Sequence, residues 1–426
     1  MVKRLKEKLV GFLRWSERYT RTDMVYLAHG GFWITVGRMV GAGSGFLLTL
    51  LLANTISKEA LGTYKFVQSL AGIVTAFSLS GMGTAVTQAV AQGRDSALLS
   101  GFKTFMRWSV LMTVIAWGAA VYYFLQGNVI LGWSLLIVGV ALPLSQGGGF
   151  YDAFLLGKKD FRKETIFGLW VTVIPMLATG ITALFTEVTP FLVLSFFGGS
   201  AIVAMVLFSR IKKQYHLVGS DHLETLSYGK HLSVINILGM ISTQMDRLLV
   251  FHFLGALQMA LYSVALAVPQ QLRFGSKLLA QMSLPKFSGT DPGAIYKTLP
   301  RKALLVFFVS VGIVLFYVLV APLFFKVFFP QYMDAVRYSQ IFSLVILFFP
   351  ATLFQQFFVG QMKQKILYAL QTAVPLIKII LLFILVPLYG ILGALYAIFG
   401  MELFRLVAVL IIFNVLARRH ATKLIQ

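Results

Sequence analysis

There is no cysteine in this chain of 426 residues, which excludes disulfide frameworks, Cys-ligated zinc, iron–sulfur clusters and thiol nucleophiles. Acid is also scarce: 15 Asp and Glu stand against 37 Lys and Arg, and charged residues of both signs make up 12% of the chain. Soluble domains carry about 25%, so too little polar surface exists here to cover a water-exposed fold. What fills the space is apolar, with 58% hydrophobic residues, 14% aromatic residues and a mean hydropathy of +0.82. Most of such a chain must face lipid. The net charge of +22 would point to nucleic acid in a soluble protein; in a membrane protein, loop topology accounts for it first.

Nucleotide-binding signatures are missing as well. Gly41-Ala42-Gly43-Ser44-Gly45 is glycine-rich, but it lies inside an apolar run with no Lys-Ser or Lys-Thr after it, as close helix packing requires and a phosphate loop does not. Gly147-Gly148-Gly149 marks a kinked stretch of a span. His216 and His222 have no metal-ligand companions in sequence. No cofactor is expected, and with no ATP-binding cassette, transport would draw on an ion gradient, the membrane potential or the substrate's own gradient.

Crossing a bilayer core of roughly 30 Å takes about 20 apolar residues, and twelve such runs are present: 30–53, 62–91, 105–126, 129–156, 165–185, 190–209, 231–254, 258–284, 303–325, 335–360, 366–387 and 391–414. Lys and Arg fall overwhelmingly on one side. The amino-terminal arm, the even-numbered connections and the tail hold 27 of them, and the opposite side holds only Lys58, Lys326 and Arg337. Cytoplasmic loops carry this excess, so both termini are expected in the cytoplasm, with the protein multi-pass in the cytoplasmic (inner) membrane. The sequence then divides into a basic amphipathic arm (1–28), a six-helix bundle (29–209), a polar linker loop (210–230), a second six-helix bundle (231–414) and a tail (415–426). A weak internal repeat agrees with that division: Leu61-Gly62-Thr63-Tyr64 opening the second span aligns with Met259-Ala260-Leu261-Tyr262 opening the eighth, and Pro143, Gly157 and Pro175 align with Pro350, Gly360 and Pro375. The expected fold class is an all-α integral membrane protein, twelve transmembrane helices in two six-helix bundles related by pseudo-two-fold symmetry around a central cavity.

Apart from Arg107 and Arg337, each the third residue of its run, ten charged residues fall inside the runs: Arg38, Lys65, Arg247, Arg273, Lys277, Lys378 and Arg405, with Asp152, Asp246 and Glu402. A charge at mid-bilayer costs roughly 2.5–3.5 kcal/mol on insertion scales, so such residues normally face water or a partner. Glu402 with Arg405 and Asp246 with the adjoining Arg247 offer mutual neutralisation. Seven cations against three carboxylates nevertheless leave four positive charges over, and an anionic substrate group would answer them. Arg273 and Lys277, four residues apart, share a helix face, and Arg has the planar fork that suits phosphate oxygens. Asp246 and Glu402 are the candidates for ion coupling. Asn236, Gln244, Gln270, Gln271, Gln355 and Gln356 add polar groups at membrane depth, either as interhelical hydrogen bonds or as sugar contacts.

The stretch from Leu50-Leu51-Leu52-Ala53-Asn54 through Leu61-Gly62-Thr63-Tyr64 to Phe77-Ser78-Leu79-Ser80-Gly81-Met82-Gly83 resembles the opening of the Wzx-type O-antigen and exopolysaccharide flippases, within the multidrug/oligosaccharidyl-lipid/polysaccharide exporter superfamily. The resemblance implies alternating access by two bundles and an undecaprenyl-pyrophosphate-linked oligosaccharide as substrate. It also implies that cavity cations bind the pyrophosphate, for which Arg38, Lys65, Arg247, Arg273 and Lys277 match by span and depth, with Lys378 and Arg405 as further candidates. Asn54 stands where relatives often have a cation, so no role carries over to it. The partners implied are the lipid-linked oligosaccharide, membrane lipids and polysaccharide polymerase machinery, with no nucleic acid. Two other readings are a multidrug exporter of the same superfamily, whose cationic substrates would want an acidic cavity, and a membrane-embedded polymerase or ligase, which would be an enzyme and would want a long external loop.

Overall fold

The computed structural model describes residues 24–217, 223–273 and 291–425, together with Gly275, Ala280, Ser283, Phe287 and Gly289. Residues 1–23 of the basic arm, residues 218–222 of the linker, Lys277 and Lys286 lie outside the described residues. Every regular element described is helical. The helices are α1 (Met24–Thr55), α2 (Lys58–Ala76), α3 (Met82–Ala91), α4 (Ala97–Leu125), α5 (Val129–Gly148), α6 (Phe150–Gly157), α7 (Phe161–Phe185) and α8 (Thr189–Val193), then α9 (Gly199–Gln214) after a π-helical turn. They continue with α10 (Leu223–Leu272), α11 (Pro292–Phe328), α12 (Ala335–Ser343), α13 (Phe349–Gly360), α14 (Gln364–Tyr389) and α15 (Ile391–Ile425). No strand is present among the described residues, as a bilayer demands of a chain that satisfies its backbone within each segment.

Ten of the described helical runs are long and apolar enough to cross a membrane, against twelve expected, and the difference has local causes. The expected second span is broken at residues 77–81, where the run Ser78-Leu79-Ser80-Gly81 separates α2 from α3. The freed Gly81 N–H donates to Ser233 Oγ at 2.9 Å, so the break leaves no orphan donor. The expected seventh and eighth spans share α10, which kinks at Gly255 (φ 81°, ψ −178°). Only glycine enters that backbone region without strain. Much of the rest of the eighth lies outside the described residues.

The chain forms two compact units that interleave along the sequence. Unit 1 comprises Met1–Leu48, Phe77–Thr182 and Val193–Val234. Within it α4 packs along α5, α5 along α9, and α3 along α6. On α4 the residues Phe105, Met112, Ala116 and Ala120 are buried, whereas Val110, Val114, Trp117, Val121 and Leu125 at three- and four-residue spacing are exposed. An apolar outer face of this kind has hydrocarbon as its solvent. Unit 2 comprises Thr49–Ala76, Ala183–Leu192 and Ile235–Gln426. Its α14 and α15 form an antiparallel pair, and α13 packs on α11 and α15. Tyr296, Phe354, Phe357 and Phe413 meet there as a cluster with ring centroids 4.9–5.5 Å apart, three of the four contacts edge-to-face and that of Tyr296 with Phe413 tilted, arrangements aromatic quadrupoles favour over a face-to-face sandwich.

Close approach of α2 to the kink depends on Gly62, where a β-carbon would stand 1.8 Å from the Ala256 carbonyl oxygen. At the neighbouring connection Asn54 Nδ2 donates to the Leu50 and Phe328 carbonyls at 2.8 and 2.9 Å. Lys58 Nζ lies 5.2 Å from the centre of the Tyr332 ring. The Ser57 N–H donates to Glu187 Oε2 at 3.0 Å and holds that exposed carboxyl below its ordinary pKa. The turn from α1 into α2, which opens at Lys58, and the loop between α11 and α12, more than 250 residues later, thus meet at one end of unit 2.

Candidate functional site

Among the described residues, unit 2 holds seven of the ten charged groups singled out at membrane depth: Lys65 on α2, Asp246 and Arg247 on α10, Arg273 just past its end, Lys378 on α14, and Glu402 and Arg405 on α15. Five are cations and two are carboxylates. They sort into three groups, each built by a different local device.

The first is a sealed pair. Asp246 is 5% exposed and Lys378 7%, and their side chains are 3.2 Å apart. Lys378 Nζ also donates to the Ser242 carbonyl at 2.6 Å, and the Tyr262 hydroxyl donates to Asp246 Oδ2 at 2.6 Å. Sequence adjacency suggests Arg247 as the partner of Asp246. The helix rules this out as the direct contact, because consecutive residues point about 100° apart around the axis, and the ion-pair partner comes from α14 instead.

The second group is the outcome of that divergence. Arg247 lies within electrostatic reach of Asp246, but its hydrogen bonds go to two neutral amides, Nη1 donating to Gln244 Oε1 and Nη2 to Gln270 Oε1, both at 3.3 Å. It makes no ion pair with a described carboxylate. Lys65 is its electrostatic neighbour and donates to Thr49 Oγ1 at 3.0 Å. Two cations placed together, with hydrogen bonds only to oxygens that carry no charge, are oriented in a way that suits the uptake of an anion.

The third group is a carboxylate between two guanidinium groups. Glu402, 2% exposed, lies 3.1 Å from Arg273 Nη2 through Oε1 and 2.5 Å from Arg405 Nη2 through Oε2. The second contact is an ion pair whose angles fall short of a hydrogen bond, and Arg405 Nε has no hydrogen-bond partner among the described residues. The three-residue pairing expected from sequence is present; the additional Arg273 contact spans 129 residues. Arg273, with 39% of its side chain accessible, is the open member.

Of the other candidates, Arg38 belongs to unit 1, where it is exposed and makes no ion pair with a described residue, and Lys277 lies outside the described residues. Sequence reasoning missed Tyr262, Ser242 and Thr49. Tyr262 had a signal, since the repeat aligns it with Tyr64; both are fully buried, and the Tyr64 hydroxyl accepts from Gln68 at 3.0 Å. Ser242 acts through its backbone carbonyl, which residue type does not disclose.

Comparison with known proteins adds two findings. Solved structures with the same fold include an outward-facing multidrug resistance MATE family transporter of the MOP superfamily (TM-score 0.63, 14% identity, 92% of this chain and 96% of that one). A second is a MOP superfamily transporter from Pyrococcus furiosus, described by a reverse polarity of its binding pocket (TM-score 0.61, 13% identity, 93% and 96%). A third is the lipid II flippase MurJ in an inward closed conformation (TM-score 0.66, 14% identity, 89% and 87%). At these identities the likeness is one of fold. Residues 51–337 match the model of a family described as polysaccharide biosynthesis protein. With two thirds of its length inside that match and the fold of the MOP superfamily transporters, this chain belongs to the polysaccharide biosynthesis protein family.

Proposed function

We propose that the protein is a flippase that moves an undecaprenyl-pyrophosphate-linked oligosaccharide across the cytoplasmic membrane by alternating access of its two bundles, with both termini in the cytoplasm. The observation that carries this reading is Arg247, a guanidinium at membrane depth whose hydrogen bonds among the described residues go to neutral amides, next to a second cation, Lys65. The seven charged groups at membrane depth in unit 2 include three more cations than carboxylates, and a pyrophosphate is the kind of group that answers such a surplus. Family membership supplies the polysaccharide side of the reading, and the MurJ likeness supports a lipid-linked substrate. Within this proposal Lys65, Arg247 and Arg273 contact the pyrophosphate in unit 2. Arg38 and Lys277 complete the set, Arg405 and Lys378 hold the two carboxylates, and Asp246 and Glu402 are the groups through which a coupling ion would act.

The test is translocation of a fluorescent undecaprenyl-pyrophosphate sugar by the purified protein in vesicles. Loss of one charge-assisted contact is worth roughly 1.5–3 kcal/mol, so Arg247→Ala should slow translocation by about tenfold to a hundredfold. Arg247→Lys should recover part of it, because charge remains while the two-pronged geometry is lost. Wild-type flipping by Arg247→Ala at equal incorporation would overturn the assignment of that residue, and export of an organic cation with no movement of the lipid-linked sugar would favour the multidrug reading.

A further inference from the structure

Near its carboxyl end α9 changes from lipid-facing apolar residues to the run Ser209-Arg210-Ile211-Lys212-Lys213. Along this face lies an open groove of about 810 Å³ lined by Met205, Val206, Ser209, Arg210, Lys213 and Gln214. Its two halves differ in chemistry. Met205 and Val206 form the apolar half, and Val206 is 61% exposed with Ile202 one turn earlier at 67%, so the groove opens onto the hydrocarbon-facing side of the helix. The polar half follows within about 13 Å, the rise of nine helical residues.

A further cation is brought to the polar half from another helix. Lys163 of α7 donates to Gln214 Oε1 at 2.5 Å, and its ammonium lies 5.5 Å from the ring centres of both Phe167 and Tyr215. Arg210 is 5.9 Å from the Phe167 ring. Aromatic faces hold cations in place without cancelling their charge. The nearby acids are otherwise used: Asp160 accepts from the Lys163 backbone N–H at 3.1 Å, and Glu164 accepts from the Thr165 hydroxyl at 3.1 Å. Lys163, Arg210 and Lys213 make no ion pair with a described carboxylate.

We propose that this groove is a binding site for an anionic phospholipid, its phosphate held by Lys163, Arg210 and Lys213 and the upper part of an acyl chain lying along Met205, Val206 and Ile202. Basic pockets at the ends of membrane helices take anionic headgroups by this combination of charge and apolar surface. The inside-positive distribution of charge explains why basic residues are abundant at this end. It does not explain a groove with an apolar floor, nor cations stationed over aromatic rings. The residues of this site all belong to unit 1, and none of them is among the seven charged groups of unit 2.

The experiment is native mass spectrometry of the full chain, purified in detergent and offered equal amounts of phosphatidylglycerol and phosphatidylcholine. Phosphatidylglycerol should be retained at least tenfold better, and the exposed positions of Arg210 and Lys213 allow their replacement without unfolding. A Lys163→Ala, Arg210→Ala, Lys213→Ala variant should lose that preference, a variant with Arg210→Lys and Lys213→Arg should keep most of it, and Lys103→Ala with Arg107→Ala, which removes two exposed cations elsewhere in unit 1, should keep all of it. Millimolar inorganic phosphate should not displace the lipid; displacement would mean that the site binds a free anion. Equal retention of the two lipids, or an equal loss from the Lys103 and Arg107 variant, would overturn the proposal in favour of diffuse attraction to a basic rim.

Discussion

A carboxylate sealed inside a membrane protein needs its countercharge within contact distance, and Asp246 has it in Lys378 at 3.2 Å with the Tyr262 hydroxyl on the other oxygen. Removing one member of such a pair strands the other, which costs about 3–5 kcal/mol in buried settings, whereas removing both charges together costs far less. Lys378→Met is therefore expected to lower the thermal stability of the detergent-solubilised protein sharply, and Lys378→Met combined with Asp246→Asn to restore most of it, as thermal unfolding would record. If Asp246 served ion coupling without a structural role, the single and double variants would melt together near wild type. Arg247 has the opposite character. Its hydrogen bonds go to neutral amides and Asp246 keeps Lys378 as its contact partner, so replacement of Arg247 should act on substrate handling with a smaller effect on melting than replacement of Lys378.

At the scale of elements, the decisive contact is that of α2 with the kink in α10. Gly255 has a backbone that other residues enter only with strain, and the Ala256 carbonyl oxygen lies where a β-carbon of residue 62 would stand, 1.8 Å away. Backbone on the far side of a clash cannot rotate away as a side chain can, so α2 must shift bodily. Gly62→Ala is expected to destabilise the protein by about 1–3 kcal/mol, the usual range for overpacking, and to weaken transport as well, since Lys65 lies one turn along the same helix. Gly83→Ala is the control: nothing lies within 4 Å of its would-be β-carbon, so its melting temperature should match wild type. The repeat in the sequence already paired Gly62 with Ala260 and Tyr64 with Tyr262. It could not show that Gly62 meets Ala256, three residues before that repeat, because a repeat relates positions by similarity and a contact relates them by distance.

For the whole molecule, the distribution of Lys and Arg makes a topological claim that the absence of native cysteine makes easy to check. A cysteine introduced at Lys58 should react with a membrane-impermeant thiol reagent from outside intact cells, and one introduced at Lys213 only after the inner face is opened. The reverse labelling pattern would invert the proposed orientation. The loop carrying Lys58 and the loop between α11 and α12 carry few basic residues, and they meet through Asn54 with the Phe328 carbonyl and Lys58 with Tyr332, so one end of unit 2 is formed by the segments the charge rule puts on one side. Thr49–Ala76 and Ala183–Leu192 associate with Ile235–Gln426, although both lie within the first half of the sequence.

Composition and hydropathy by themselves determined that this is an all-helical membrane protein, since a chain so poor in charge has no other solvent and a bilayer admits helices whose backbone is satisfied within each segment. They also determined which residues were anomalous, because a cation at membrane depth stands out against its apolar neighbours in one dimension. Tertiary structure alone decided how those anomalies are resolved. Asp246 takes Lys378 from 132 residues away, Glu402 takes Arg273 from 129 residues away, and Arg247 is left to amide oxygens. Electrostatic pairing depends steeply on separation and direction, and neither is a property of sequence distance: adjacent side chains on a helix diverge, while side chains on α10 and α14 or beside α15 meet. The charges were legible from the sequence, and their partners became so only when the helices were packed.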